Sequence, residues 1–154
     1  MEVTFENITH STVLLSEFEL GWRFNKVLTE DQQSKMKPLN KRGSEFLFEY
    51  LETNELHKEI PFKKDFFKYV EKIEIDDKKQ VQIWLSKIGL NNEEVFLSWN
   101  KENGMIVPYK LLVENFDDFY YESSDDLTVF QKGLDWAILF FHAKQIYFGK
   151  DKIK

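Results

Sequence analysis

Residues 127–149, LTVFQKGLDWAILFFHAKQIYFG, decide what the rest of the chain must do. Within them, residues 135–142 are apolar on both faces. Strand side chains alternate with period two, so Trp136, Ile138 and Phe140 point one way and Ala137, Leu139 and Phe141 the other. A strand apolar on both sides needs cover on both sides. The reading is two or three antiparallel strands whose middle member is the central strand of a sheet. Helices should pack on one face, and loops or further helices on the other.

Upstream, the pattern changes at Glu93. Residues 95–99 read as a strand, NKENG as a hairpin loop and residues 105–107 as the returning strand, with Pro108 fixing its end or an edge. Before that point the signals are mostly helical. Thr29 and Gln32 form a capping-box pair that opens a helix ended by Pro38, and a second helix starts near Asn40 with Phe46, Leu47, Tyr50 and Leu51 at helical spacing. After Pro61, the residues Phe62, Phe66, Tyr69, Val70 and Ile73 recur every three or four positions opposite Lys63, Lys64, Lys68 and Lys72. That spacing predicts an amphipathic helix or a broken pair. Asp76 and Asp77 can cap KKQVQIWLSKIG, and Gly89 suits its left-handed stop. In residues 3–28, Phe18, Leu20, Trp22 and Phe24 alternate as in a short edge strand, or an extended arm across the core. Trp22 and Trp84 are expected in the core. Helices followed by strands, with no repeat or linker between them, imply one α+β domain over residues 1–154, a mostly helical N-terminal part packed on a C-terminal antiparallel sheet.

Composition narrows the function. A chain of 154 residues can bury a real core, and 16% aromatic content leaves rings for a surface patch. A net charge of −6 and a pI near 5.2 argue against nucleic acid as a partner, because phosphate contacts need a basic field, and favour a basic partner. Without cysteine there is no disulfide, thiolate metal site or cysteine nucleophile, which fits a reducing compartment. The first residues lack the basic start and apolar run of a signal peptide, and no stretch approaches the roughly 18–20 apolar residues of a membrane span. The expectation is a soluble, cytoplasmic monomer without cofactor.

Residues 114–126, ENFDDFYYESSDD, carry six carboxylates, Glu114, Asp117, Asp118, Glu122, Asp125 and Asp126, and no lysine or arginine. Phe116, Phe119, Tyr120 and Tyr121 are interleaved among them. Acids of this kind steer a basic surface and aromatic rings anchor it, so the segment suits a plug for a basic cleft. The plainer reading is a solvated acidic loop whose rings turn into the core, with Ser123, Ser124, Asp125 and Asp126 making an Asx or hydroxyl turn before Leu127. The segment lacks the glycine and alternating oxygen ligands of a calcium loop, so no metal site is expected. His10, His57 and His142 stand in unrelated contexts. His142 could act as a general base in a small hydrolase, but no nucleophile motif accompanies it, so catalysis is not the expected class.

Two stretches carry a family resemblance. Residues 21–39, GWRFNKVLTEDQQSKMKPL, resemble the opening of a group of small bacterial proteins: tryptophan, short strand, capped helix, then lysine-proline-leucine. NFDDFYYESSDD and DWAILFFHAKQIYFG resemble their "WDDF-YPSSDD … W-LFF-H … F-FG" close, with Phe116 in place of Trp and Glu122 in place of Pro. Some proteins of this kind resemble immunity proteins of contact-dependent inhibition and other polymorphic toxin systems. The resemblance covers about half of the chain. It implies a bacterial cytoplasmic protein that binds and neutralises a cognate toxin, without identifying that toxin. If the toxin is a nuclease, its cleft must be basic to hold phosphates, and the acidic surface of this chain would occlude it. Asp117, Asp118, Tyr120, Tyr121, Glu122, Asp125 and Asp126 are the expected contacts. A housekeeping interaction or regulatory module is the alternative.

Overall fold

The apolar alternation of residues 135–142 is satisfied by a sheet covered on both faces. The computed structural model describes residues 2–154. Among them five helices surround seven antiparallel strands: α1 (Glu30–Ser34), β1 (Lys37–Pro38), α2 (Lys41–Thr53), β2 (Phe67–Glu74), α3 (Lys78–Ser86), β3 (Glu94–Asn100), β4 (Asn103–Pro108), α4 (Tyr109–Glu114), α5 (Phe116–Phe119), β5 (Leu127–Phe130), β6 (Trp136–Phe141) and β7 (Gln145–Lys152). Their order in the sheet is β1-β4-β3-β5-β6-β7-β2. The architecture is α+β, and the 127–149 stretch supplies three consecutive strands. The middle place belongs to β5, with the doubly apolar β6 beside it.

Period two decides what each face of β6 meets. Ile138 and Phe140 enter a core closed by α3, α4, α5 and the arm before α1, which contributes Phe18 and Phe24. Ala137 and Leu139 enter a second core, closed by Leu47 and Leu51 of α2 and by Leu56 and Phe62 of the connection that follows. Fully burying a side chain such as Phe140 contributes about 1.5–3 kcal/mol. Two stacked cores therefore bear on one strand.

The helix caps hold, but the first helix stops at Ser34, and Pro38, expected to end it, lies in the short strand β1. Thr29 Oγ1 accepts from the Gln32 N–H, and Gln32 Oε1 accepts from the Thr29 N–H. Asn40 caps α2 through the Gly43 N–H, and Asp77 caps α3 through the N–H groups of Lys79 and Gln80. Gly89 follows α3 at φ 89°. The chain turns between β3 and β4 on Asn100, whose Oδ1 accepts from the N–H groups of Glu102 and Asn103.

Other expectations fail for physical reasons. The amphipathic helix over residues 62–73 is not formed: residues 67–74 are the edge strand β2, paired along β7. FKYVEKIE is rich in aromatic and β-branched residues, and its lysines suit an open sheet edge, so cross-strand pairing overrides the three-to-four spacing. Residues 3–28 contain no strand. They form an irregular arm with 3-10 turns at Ile8–His10, Leu15–Glu17 and Gly21–Arg23, joined to the body by a bridge from Thr12 to Leu39. A Cβ on Gly21 would stand 2.0 Å from the Leu15 carbonyl oxygen, so this bend accepts only glycine. Consequently Phe18 and Phe24 are buried while Trp22 is 62% exposed, against the expectation that it lies in the core. Trp84 is half-buried against the first core.

Candidate functional site

The expected acidic loop is built on two short helices. Pro108 ends β4, α4 buries Tyr109, Leu111, Leu112 and Val113, and the chain bends at Asn115 into α5. Rings and acids then separate. Phe116 and Phe119 are core residues. Tyr120 is 4% exposed and donates its hydroxyl hydrogen bond to the Phe141 carbonyl, so it braces the interior and offers no surface. Burial pushes its phenol up to about 12. Of the four rings only Tyr121 stays half-exposed.

The acids find partners contributed by distant parts of the chain. Asp117 lies 3.1 Å from Lys78 at the start of α3, and Glu122 lies 3.5 Å from Lys144. Asp126 Oδ1 accepts from His142 through both the backbone N–H and the ring, each at 2.9 Å. Exposed pairs of this kind contribute little stability and leave the carboxylates available to solvent. Asp118 is half-buried, and its carboxyl is raised above the usual range, first by burial and then by its neighbour Asp117.

Asp125 behaves differently. It accepts from Arg23 Nη1 at 2.6 Å and Nη2 at 3.3 Å, a forked pair in which both side chains are nearly closed to water. Its Oδ2 also accepts from the Tyr121 N–H at 2.8 Å. Arg23 Nη1 reaches the Phe119 carbonyl as well, which takes a second hydrogen bond from the Trp99 indole. The guanidinium lies 4.0 Å from the centre of the Tyr121 ring, and the exposed Trp22 packs edge-on against that ring at 5.8 Å. Thus the GWR turn and the YESSDD segment, about a hundred residues apart, meet in one surface feature. It consists of two aromatic rings flanked by Glu122 and held from beneath by a buried ion pair. Trp22 and Arg23 were not among the expected contacts. An arginine set between Trp22 and Phe24 is the local sign, since a buried arginine needs an acid partner.

Beside this feature is a pocket of about 540 Å³ between α2, residues 55–60 and strands β3, β5 and β6, and Asp126 reaches its lining. His57 spans it. Its Nδ1 faces the Pro61 carbonyl at 2.7 Å and its Nε2 the Thr128 hydroxyl at 2.8 Å. A carbonyl can only accept, so Nδ1 carries the hydrogen and Nε2 accepts from Thr128. The two hydrogen bonds clasp the 54–66 connection onto the sheet. Nothing in the sequence pointed to this partnership.

Burial holds the His57 imidazole below its ordinary value, against the opposing effects of the Pro61 carbonyl and the Asp126 charge. The unfolded chain then takes up a proton at higher pH than the folded one. The stability this neutral histidine contributes is complete above about pH 6.5 and is lost as the pH falls from there through the lower folded value. Urea denaturation at pH 7.5 and pH 5.5 is expected to show that loss in the wild type and a smaller one in His57→Gln. Equal losses in the two proteins would exclude His57 as its source.

His142 is half-exposed at the Asp126 pair and His10 lies exposed in the arm. Among the described residues no three histidine, aspartate or glutamate side chains are grouped to hold a metal ion, and no helix is long and apolar enough to cross a membrane. Comparisons with protein-family models, with curated proteins and with solved structures yield no match to this chain.

Proposed function

We propose that this chain is a non-enzymatic immunity protein, a cytoplasmic monomer that binds a cognate bacterial toxin domain and occludes a basic, nuclease-like cleft. The observation that carries the reading is the exposed Trp22 packed on Tyr121 beside Glu122. A large ring kept in water by a rigid, buried support is the kind of group that anchors a protein interface. Glu122 and Asp126, with Asp117 and Asp118 on α5, supply negative charge that attracts a cationic surface and raises its association rate. Tyr120 and Asp125 serve the interface indirectly, by fixing the backbone that presents these groups. The chain's net charge of −6 acts in the same direction.

The test is co-purification with the product of the adjacent gene at low and high salt, followed by association kinetics of Glu122→Lys/Asp126→Lys. A one-to-one complex is expected, with an association rate that falls about tenfold or more in the variant and loses most of its salt dependence. A complex whose rate and salt dependence are unchanged by the variant would remove these acids from the interface. Absence of a complex at either salt would overturn the immunity reading in favour of a housekeeping interaction module.

A further inference from the structure

The sheet face beneath α2 is apolar until it reaches two neighbouring hydroxyls. Ser98 on β3 is paired with Thr128 on β5, which is paired with Leu139 on β6, and these three form the floor of the pocket. Thr128 uses its hydrogen on His57, so its oxygen can act only as an acceptor toward any other group. Ser98 is 4% exposed, and its hydroxyl is hydrogen-bonded to none of the described residues. Among the described residues Arg23 Nε is the one side-chain polar atom both closed to water and without a partner, so the Ser98 hydroxyl opens onto the pocket and can bond a group that enters it.

The rest of the lining states what that partner must be. Phe48 and Ile60 give apolar walls, and Ile60 is 55% exposed. Glu52, Glu55 and Asp126 stand in the lining against one cation, Lys58. Lys58 already pairs with Glu55, as does Lys63, so Glu52 and Asp126, the latter hydrogen-bonded to His142, are the lining carboxylates with no lysine or arginine pair among the described residues. Glu52 continues a ridge with Glu45 and Glu49 on α2. The Glu49 carboxyl is raised above its usual range, first through its hydrogen bond with Glu45 and then by burial. Like charges four apart on a helix are unfavourable in isolation. Apolar walls, hydroxyl acceptors below and carboxylates above match a long aliphatic stem that ends in a donor-only cation. An anion would be repelled, and a neutral chain would leave the carboxylates unanswered.

We infer that this pocket is a socket for the side chain of an arginine or lysine presented by a basic protein partner. The stem lies against Phe48, Ile60 and Leu139, and the cation sits between the Ser98 and Thr128 hydroxyls and the Glu52 and Asp126 carboxylates. The inference rests on the immunity reading for the identity of that partner, but not for the chemistry of the socket.

The probe is N-acetyl-arginine amide, titrated into isotopically labelled protein. N-acetyl-citrulline amide serves as the neutral isostere, and N-acetyl-lysine amide as the second cation. Millimolar arginine or lysine probe is expected to shift the backbone resonances of Ser98, Thr128 and Leu139, with citrulline at least about tenfold weaker. Glu52→Gln/Asp126→Asn is expected to weaken the cationic probes about tenfold without changing the fold's denaturation midpoint. Equal response to arginine and citrulline, no response, or undiminished binding to the folded variant would overturn the socket. A responsive socket in a protein that forms no complex with its neighbour's product would sustain this assignment while the immunity reading fails. A tight complex indifferent to Glu52→Gln, with silent probes, would do the reverse.

Discussion

Replacing Arg23 with leucine is expected to destabilise the protein by about 3–5 kcal/mol, the range for breaking a buried ion pair from one side. The variant leaves Asp125 almost closed to water with its forked donor gone and only the Tyr121 N–H to satisfy it. It also removes one of the two hydrogen bonds on the Phe119 carbonyl and the guanidinium that lies over Tyr121. Asp125→Leu should cost a similar amount. The double variant Arg23→Leu/Asp125→Leu should cost clearly less than the sum, because neither charge is then stranded. Urea denaturation of the four proteins measures this. A loss below about 1 kcal/mol for either single change would place the pair with ordinary surface ion pairs. Loss of the pair should also weaken any complex made through Trp22 and Tyr121, since both rings are positioned by it.

That ion pair marks the boundary of what the sequence makes legible. Caps at Thr29, Asn40 and Asp77 lie within three residues of the N–H groups they satisfy, and all three could be read locally. The β5–β7 stretch was legible because burial on two faces writes itself into every residue of β6. For β2 the deciding partner is β7, more than seventy residues away, and one edge of the strand meets water, so its apolar residues carry no clean period. The helices α4 and α5 were hidden by their brevity, and the acids of α5 masked the destination of Phe116 and Phe119.

The candidate surface follows the same logic. Its acids were visible as composition, but which of them faces solvent depends on Lys78, Arg23, His142 and Lys144, each remote in sequence from its partner. The structure consequently divides the seven expected contacts. Tyr120 and Asp125 belong to the support, while Asp117, Asp118, Tyr121, Glu122 and Asp126 keep exposed or half-exposed side chains. Trp22 joins them from the Gly21–Arg23 turn, which leaves its ring exposed while Phe24 is buried.

Truncating Phe140 to alanine is expected to cost about 3–5 kcal/mol, and Phe141→Ala no more than half of that. The two residues are adjacent and chemically identical, so period two in β6 is the main source of the difference. Phe140 is fully buried, with the Tyr120 ring centre at 5.5 Å and the Phe116 ring centre at 6.3 Å. Removing it opens a cavity beneath the two rings on which the 116–126 segment rests. Phe141 is half-buried on the other face, beside His142 and Tyr147, and its loss exposes neighbours to water without hollowing a core. For a domain of this size the expected deficit in Phe140→Ala lowers the thermal midpoint by about 10 °C or more. Equal losses at the two positions would mean that β6 is not covered as two separate cores require. A large loss at Phe140 accompanied by weakened partner binding at a temperature where the variant remains folded would trace the exposed Trp22–Tyr121 surface back to the packing of this strand.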